Sequence, residues 1–347
     1  MRMRKEKPRM NRTLRVLTAA LCAALVLAMP FFLSSPAMLG EVKWQLLEEM
    51  EDEAGALSWL LPTALAEDAS ADETIPDYTL PIDFTPGYAP DPSGYTDAGY
   101  EDDSIRVQME TREENGVIWR IAWVEVASAT QLRTATAGKL TSSNTARVKS
   151  MAVKNNAVVA LNGDYFADNP TKTSFEYRMG QKVREKINKL KDILIIDENG
   201  DFHMFIQSQG LSKQNPADTW EKETGHQIMQ AFTFGPALVQ GGEVLTINKD
   251  YGYNPKGREP RSAIGQTGTL SYVLVVAEGR GESKGVTQQE LAEFMGGLGC
   301  LEAYNLDGGG TAAMVYQGEY YNTLAGSERA VSDIIYFASA VNPEGGN

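Results

Sequence analysis

The most informative stretch of this sequence reads Tyr304-Asn305-Leu306-Asp307-Gly308-Gly309-Gly310-Thr311. Three consecutive glycines follow a carboxylate there, at the end of an apolar approach. Ordered glycine loses more conformational entropy than any other residue, so this run favours a place where the backbone approaches a ligand closely. The N–H groups of such a loop can point at an anion. Asp307 is therefore the main candidate for a chemical group, although a tight turn after a buried strand explains the same residues without a ligand.

A second strand tip with polar side chains lies far upstream. The apolar, β-branched run at residues 157–161 predicts a buried strand, and Asn162-Gly163-Asp164 follows it directly. Asn-Gly-Asp is a turn signal that places two polar side chains at the end of the strand. Functional groups are commonly displayed at such tips. A plain hairpin turn is the simpler explanation for this segment taken alone.

A basic segment precedes another predicted strand. Arg258, Glu259 and Arg261 come just before the apolar run at residues 270–277. Arginine suits bidentate binding of phosphate or carboxylate, and a solvated surface ion pair is the ordinary alternative. Because polar groups lie at the ends of several apolar strands, we expect Asn162, Arg261 and Asp307 to line one pocket.

Five segments of the chain resemble, in this order, motifs of the phosphodiester glycosidase family. They are residues 162–166 (Asn-Gly-Asp-Tyr-Phe), 234–239 (Phe-Gly-Pro-Ala-Leu-Val), 261–265 (Arg-Ser-Ala-Ile-Gly), 306–311 (Leu-Asp-Gly-Gly-Gly-Thr) and 328–333 (Glu-Arg-Ala-Val-Ser-Asp). The resemblance covers residues 105–341, and bacterial relatives in this family are often labelled exopolysaccharide biosynthesis proteins. Two positions depart from the family pattern, which usually has Gly where Asp164 stands and Ser-Ser or Ser-Thr where Thr311-Ala312 stand.

The resemblance implies an exported hydrolase that cleaves a sugar, with N-acetylglucosamine as one candidate, from a phosphodiester linkage in envelope or extracellular glycans. A phosphate monoester leaves well without a proton, so the site does not need the general acid that ordinary glycosidases use. It needs phosphate recognition, a base or nucleophile, and stabilisation of the oxocarbenium-like centre. The two departures keep a second interpretation open, a non-catalytic glycan-binding or exopolysaccharide assembly protein with the same fold. A sugar phosphate or polysaccharide is the expected partner.

The resemblance also assigns roles to individual residues. Asp307 is expected to act as base, nucleophile or metal ligand, Asn162 to bind a sugar hydroxyl or orient Asp307, and Asp164 to be a secondary catalytic carboxylate. The groups expected to bind substrate and phosphate are Arg261, Gly308, Gly309, Gly310, Thr311, Arg329 and Asp333. A plain ion pair between Arg329 and Asp333, four residues apart, explains those two residues equally well.

A divalent cation, Ca²⁺ or Mg²⁺, is an open alternative at this site, because Asp164 and Asp307 offer hard oxygen ligands. No EF-hand spacing occurs in the sequence. The two histidines, His203 and His226, have no partner spacing, so zinc sites and Ser-His triads have little material here. No other cofactor is indicated, and the oligomeric state stays open.

The N-terminal part of the chain differs from the rest. Residues 1–15 carry seven Arg or Lys and one Glu, and residues 16–40 carry no charge. This pattern predicts a signal peptide or an uncleaved membrane anchor at residues 1–40, so that the remainder is exported and is either secreted or held on the extracytoplasmic side of a membrane. Residues 41–103 are acidic and rich in proline, which predicts a linker without a packed core. Residues 104–342 form the predicted domain.

The body of the chain predicts an α+β domain with a mixed β-sheet and a few helices. Asn115-Gly116 indicates a hairpin. Residues 143–155 indicate one helix, and the capping box at residues 287–290 begins another. Residues 168–189 are polar and charged, which predicts a loop near the site.

Charge and cysteine content exclude two further features. The net charge is −14 and the exported part has no basic run, so nucleic acid is not expected as a partner. Cys22 lies in the apolar N-terminal segment and Cys300 in the predicted domain, so the two are not expected to form a disulfide.

Overall fold

The computed structural model describes residues 78–140, 142–164, 174–188, 190–207 and 216–342, which all belong to one compact unit. The predicted signal or anchor segment, and the predicted linker up to residue 77, lie outside the described residues. Among the residues described, no helix is long and apolar enough to cross a membrane.

Strands dominate the described residues. In chain order they are β1 Tyr95–Thr96, β2 Gly99–Glu101, β3 Ile105–Glu114, β4 Val117–Val126, β5 Leu132–Thr136, β6 Ala157–Asn162, β7 Phe175–Arg178, β8 Gln181–Glu185, β9 Ile193–Asp197, β10 Phe202–Phe205, β11 Ile228–Phe232, β12 Ala237–Gln240, β13 Glu243–Val244, β14 Arg261–Gly268, β15 Ser271–Ala277, β16 Glu302–Asn305, β17 Met314–Tyr316, β18 Glu319–Tyr320 and β19 Asp333–Ala338. The described α-helices are α1 Val148–Lys154, α2 Pro216–Thr224 and α3 Gln288–Gly297. Short 3-10 helices occur at Pro92–Gly94, Ala129–Gln131 and Gly309–Thr311.

The described strands form three sheets. One has nine strands, in the order β1-β2-β3-β4-β15-β14-β16-β12-β13, and two have five, in the orders β10-β9-β11-β7-β8 and β18-β17-β6-β19-β5. Every strand pairing within the described residues is antiparallel. The α+β class is confirmed, and the expectation of a mixed sheet is wrong. Strands such as β6 are buried on both faces, and β6 is apolar from residue 157 to residue 161, a pattern that is also typical of parallel strands.

The main hydrophobic core lies between the nine-stranded sheet and the two five-stranded sheets. Val124 and Leu274 of the large sheet share one buried cluster with Leu194 and Phe337 of the smaller sheets. Helix α3 packs residues such as Leu291 on the other face of the large sheet. Helices α1 and α2 contribute to the buried clusters of the two smaller sheets. The sheets are thus stacked face to face, with helices on the outside.

Short sequence signals determine several of these elements. Asn115 and Gly116 have positive φ angles of 53° and 72° and join β3 to β4, which confirms the predicted hairpin. Thr287 and Glu290 form the predicted capping box of α3. Helix α1 is shorter than predicted, since it begins at Val148.

The predicted linker is wrong for residues 78–103: Leu80 lies in the buried cluster of the sheet that contains β5 and β19, and β1 and β2 extend the nine-stranded sheet. Strand β2 pairs with β3, and its Tyr100 is buried. The buried Arg133 guanidinium donates to three main-chain carbonyls between Pro81 and Thr85, at 2.9 to 3.0 Å. Composition is misleading here because hydrogen bonds from one buried cation, in addition to apolar burial, hold this proline-rich segment in place.

Candidate active site

Asn162 joins two sheets at the centre of the site. It is the last residue of β6 in a five-stranded sheet, and its buried side chain reaches the loop that follows β16 in the nine-stranded sheet. Its Nδ2 donates to the carbonyls of Asp307 at 2.6 Å and Gly163 at 3.1 Å. Its Oδ1 accepts from the Ser262 hydroxyl at 2.7 Å and the Ala313 amide at 3.2 Å. These four bonds satisfy the whole side chain, so Asn162 positions the loop of Asp307, and its amide is not available to a sugar hydroxyl.

The Asp307 carboxylate is buried at the mouth of the glycine loop, with 6% of the residue exposed. Its Oδ1 accepts from the Gly308 amide at 2.8 Å and from Nη2 of Arg329 at 3.0 Å. Its Oδ2 accepts from the same Nη2 at 2.8 Å. Burial raises the pKa of Asp307, and the Arg329 charge and the Gly308 amide offset only part of this rise. Asp307 is therefore a stronger base than an ordinary carboxylate.

The glycine loop is shaped by close packing on Pro260. A Cβ on Gly308 would lie 2.6 Å from the Pro260 carbonyl oxygen, and Gly309 donates to that oxygen at 2.8 Å. The Thr311 amide and hydroxyl both donate to the Gly308 carbonyl, at 3.3 and 2.7 Å. Within the described residues, the Gly310 amide has no hydrogen-bond partner. The expected cradle of amides from Gly308 to Thr311 is therefore reduced to Gly310, because the other amides bond within the protein.

Two arginines with exposed guanidinium groups flank this loop. The Arg329 side chain is 62% exposed although it pairs with Asp307. The Arg280 side chain is 50% exposed, pairs with Glu259 at 2.7 Å, and has its Nη2 3.1 Å from the position that a Cβ on Gly309 would take. Arg280 also has a φ of +61°, which is uncommon for a non-glycine residue and clusters at functional sites. Sequence analysis missed Arg280, whose signal is its place between two glycines just after β15.

Arg261, which was expected to bind phosphate, is instead a buried clamp on a neighbouring loop. Its guanidinium donates at 2.7 to 3.3 Å to the carbonyls of Val286, Tyr253, Asn254 and Gly257. Burial lowers its pKa to about 10. The structure thus brings Asn162 and the Asp307 loop together, whereas the Arg261 guanidinium serves the loop at residues 253–257. The sequence could not show this, because the carbonyls it binds come from an irregular segment.

A fully buried charge cluster adjoins Gly163. Arg178 of β7 contacts Asp333 at 2.7 Å, Asp164 at 3.1 Å and Glu176 at 3.3 Å. A Cβ on Gly163 would collide with the Asp333 carboxylate, which explains the glycine. Burial raises the pKa of both Asp333 and Glu176, the Asp164 charge adds to the rise, and Arg178 opposes it. One guanidinium cannot balance three carboxylates, so burial favours the protonated forms of Asp333 and Glu176.

The buried cluster corrects two expectations and adds two residues. Asp333 pairs with Arg178, so the predicted ion pair with Arg329 is wrong. Asp164 is bound to the same guanidinium and only 2% exposed, which makes it part of the support for the site. Sequence analysis missed Arg178 and Glu176 because residues 168–189 predicted a loop, whereas β7 and β8 lie within that range. The alternation Phe-Glu-Tyr-Arg in β7 was the available signal.

The Ca²⁺ or Mg²⁺ alternative requires several hard oxygens that point to one place. Asp164 takes Arg178 as its counter-ion, and Asp307 takes Arg329. Each carboxylate thus already has a counter-ion, and a divalent cation at these two carboxylates stays a prediction.

The profile of the phosphodiester glycosidase family (NAGPA) matches residues 155–338, more than half of the chain. The match includes Asn162, Arg178, Arg280, Asp307 and Arg329. Among curated proteins, the SPbeta prophage-derived uncharacterized protein YomE of Bacillus subtilis (strain 168) is 33% identical over 107 residues. That alignment covers 30% of this chain and 17% of the relative, so the chain matches a small part of the longer protein.

Two solved structures are similar in fold. The catalytic domain of zebrafish N-acetylglucosamine-1-phosphodiester alpha-N-acetylglucosaminidase, auto-inhibited by its pro-peptide, aligns with a TM-score of 0.52 at 16% identity, over 73% of this chain and 87% of that one. A hypothetical protein from Synechocystis aligns with a TM-score of 0.49 at 16% identity, over 67% of this chain and 62% of that one. At these identities, the zebrafish domain indicates a common fold and no more.

Proposed function

Since this chain belongs to the phosphodiester glycosidase family, we propose that it is a hydrolase that cleaves a sugar from a phosphodiester linkage. One observation carries the proposal. A buried carboxylate, Asp307, is paired with the largely exposed Arg329 at a glycine loop, and a second exposed arginine, Arg280, lies beside the same loop. A base and two cations at one loop match what the reaction needs, a group that acts at the anomeric carbon and a grip on the leaving phosphate.

In this proposal the phosphate binds over Gly309 and Gly310, between Arg280 and Arg329. Arg329 uses Nη2 toward Asp307, and its Nε and Nη1 have no protein partner within the described residues. Those N–H groups, the Gly310 amide and Arg280 supply charge-assisted donors for the phosphate oxygens. The bond between the anomeric carbon and the phosphate oxygen breaks, and the phosphate monoester departs with the electron pair and without an added proton.

Asp307 acts on the other side of this bond, either as the nucleophile or as the base that activates water. In the first case a glycosyl ester forms on Asp307 and water hydrolyses it. In the second case water attacks the anomeric carbon directly, and its proton passes to Asp307. A phosphate that competes for Arg329 weakens the ion pair of Asp307, so substrate binding itself makes the carboxylate more basic. Asn162 keeps the loop in place throughout through its bond to the Asp307 carbonyl.

The test is steady-state hydrolysis of a panel of sugar-1-phosphodiesters, with N-acetylglucosamine among the sugars, by the wild type and by Asp307→Asn. We expect the wild type to release free sugar, and the variant to lose roughly a hundred- to ten-thousand-fold in kcat. A Glu185→Gln control changes an exposed carboxylate of an ordinary surface pair and should keep full activity. Turnover by Asp307→Asn at the wild-type rate, with an unchanged melting temperature, would remove Asp307 from the mechanism.

A second candidate, a non-catalytic glycan-binding or exopolysaccharide assembly protein, is favoured by a specific observation. Asp164 stands where the family usually has Gly and is bound to Arg178, and Ala312 supplies no hydroxyl. Fewer polar groups then remain to stabilise a transition state. Binding of sugar-1-phosphodiesters without turnover by the wild type, across the whole panel, would favour this candidate over the hydrolase.

We further propose that the protein acts outside the cytoplasm, secreted or anchored through residues 1–40, on envelope or extracellular glycans. The support is the basic segment followed by an uncharged apolar one at the N-terminus. Protease treatment of intact cells should degrade an anchored protein and leave cytoplasmic markers intact. Full protection in spheroplasts, from which any outer membrane and cell wall have been removed, would contradict export.

A further inference from the structure

A second cluster of polar groups lies at the turn between β9 and β10. Asp197 is the last residue of β9, Glu198 begins the turn, and His226 lies two residues before β11. Strand β11 pairs with β9 so that Ile228 is opposite Asp197. This register places the chain just before β11 beside the turn, so residues almost thirty positions apart in sequence meet there. None of them belongs to the site around Asp307.

The three side chains direct ligand atoms toward one point. Nδ1 of His226 lies 2.9 Å from Oε1 of Glu198 and 3.8 Å from Oδ2 of Asp197, and one ligand atom of each residue lies within 4.8 Å of the others. A tetrahedral zinc ion with bonds of ~2.0–2.2 Å separates neighbouring ligand atoms by roughly 3.3–3.6 Å. The observed separations bracket that value, so small side-chain movements are sufficient to admit the ion.

The remaining atoms of the carboxylates are already fixed by main-chain amides. Oδ1 of Asp197 accepts from the amides of Asn199 and Asp201, both at 2.9 Å. Oε2 of Glu198 accepts from the Gln227 amide at 2.6 Å. Hydrogen bonds of this kind orient carboxylate ligands in metal sites. The oxygens that face His226 are therefore held in place before any ion binds.

His203 supports Asp197 from a further direction. Its Nε2 lies 3.0 Å from Oδ2 of Asp197. The ring of Trp220, from α2, lies 5.0 Å from the ring of His203 and 6.1 Å from the ring of His226. Both histidines of the chain are thus placed around one buried aspartate. Carboxylates that bind a metal are themselves hydrogen-bonded, and His203 supplies such a bond to Asp197.

We propose that Asp197, Glu198 and His226 bind one divalent transition-metal ion, for which Zn²⁺ fits the donor set best. One imidazole and two carboxylates leave a fourth position of a tetrahedron to water. Ca²⁺ and Mg²⁺ take six or more ligands, nearly all oxygen, and do not favour imidazole. The bound ion links the β9–β10 turn to the residues just before β11. Its effect is on stability and leaves hydrolysis at Asp307 unchanged.

The test uses the full chain, purified with a tag that contains no histidine and freed of metal with a chelator. Calorimetric titration with Zn²⁺ should show one ion per chain, and Co²⁺ should give the visible absorption of a tetrahedral site. Saturating Zn²⁺ should raise the melting temperature, because an ion that binds the folded state alone stabilises it. Ca²⁺ at the same concentration should bind far more weakly.

Three variants locate the ion. His226→Gln removes a ligand from a side chain that is 41% exposed, so the fold should persist while the affinity for Zn²⁺ falls more than ~100-fold. His203→Gln removes only the outer contact and should lower the affinity by about 10–100-fold. Glu319→Gln, in a surface ion pair elsewhere, should change nothing. The proposal is overturned if the chain takes up no stoichiometric Zn²⁺, or if His226→Gln binds Zn²⁺ like the wild type. In the first outcome, His226 and Glu198 form a plain ion pair.

Discussion

Replacing Arg178 by Met should destabilise the protein in a way that depends strongly on pH. Arg178 is fully buried and is the counter-ion of Asp164 and Asp333, with Glu176 at 3.3 Å. Met retains much of the side-chain volume and removes the charge. Breaking a buried ion pair from one side costs about 3–5 kcal/mol in the free energy of unfolding. For a domain of this size, that corresponds to a melting temperature lower by roughly 6–20 °C.

The sign of the pH dependence follows from the pKa shifts. In the variant, burial raises the pKa of Asp333 and Glu176 without the opposing charge of Arg178, so the folded state binds more protons than the unfolded chain. Stability then falls as pH rises from the ordinary carboxyl range near 4. The stability of the wild type also falls as pH rises, but by less, because burial raises the pKa of Asp333 to about 7 despite Arg178. The loss caused by the substitution should therefore be larger at pH 8 than at pH 5.

Urea unfolding, followed by tryptophan fluorescence between pH 5 and pH 8, measures this directly. A matched control is Arg133→Met, because Arg133 is equally buried but donates to main-chain carbonyls and the Tyr336 hydroxyl. Its carboxylate neighbour, Asp83 at 3.9 Å, is half exposed and has a lowered pKa, so the substitution should destabilise the protein to nearly the same extent at every pH in this range. An equal loss for Arg178→Met at pH 5 and pH 8 would refute the electrostatic account of the cluster.

Two further substitutions test the active-site geometry. Arg280→Ala should raise KM for a sugar-1-phosphodiester by about 10–100-fold, the value of one charge-assisted hydrogen bond, without changing the melting temperature. The control is Arg106→Ala, which removes an arginine from a comparably exposed ion pair. An unchanged KM for Arg280→Ala would place the phosphate elsewhere. Asn162→Ala removes four buried hydrogen bonds and should lower the free energy of unfolding by about 2–4 kcal/mol. It should also lower kcat, because the Asp307 loop is displaced. Kinetics and melting curves that match the wild type would contradict the positioning role of Asn162.

Local sequence patterns predict those site residues that lie at the ends of strands. The apolar run before Asn162 and the glycines after Asp307 are local signals, and the structure brings these two residues together. The same holds for the hairpin at Asn115-Gly116 and for the capping box of α3. In each case the information lies within a few residues, where turn chemistry and hydrophobic period determine the backbone.

The rest of the site depends on pairings between distant segments. Strand β7 delivers Arg178 and Glu176 through its pairing with β11, and no local pattern specifies that partner. Glu278, which directly follows β15, is buried and paired with Arg120 of β4 at 2.7 Å, although charged residues at strand ends are usually solvated. Arg261 looked like a phosphate ligand because its carbonyl partners cannot be identified from sequence. Charged residues at strand ends are therefore ambiguous until their counter-ions are known.

The difference in exposure between Arg178 and Arg329 favours catalysis over simple binding of a glycan. Arg178 is fully buried and fixed on Asp164 and Asp333, so it cannot leave them for a ligand. Arg329 is largely exposed, so an incoming phosphate can compete with Asp307 for its guanidinium. Asp307 then loses its counter-charge while the Asp333 carboxyl, with which it interacts electrostatically, stays in place. In the proposed mechanism the Asp307 carboxylate is therefore most basic when substrate is bound, a property that serves hydrolysis and that binding of a glycan alone does not require.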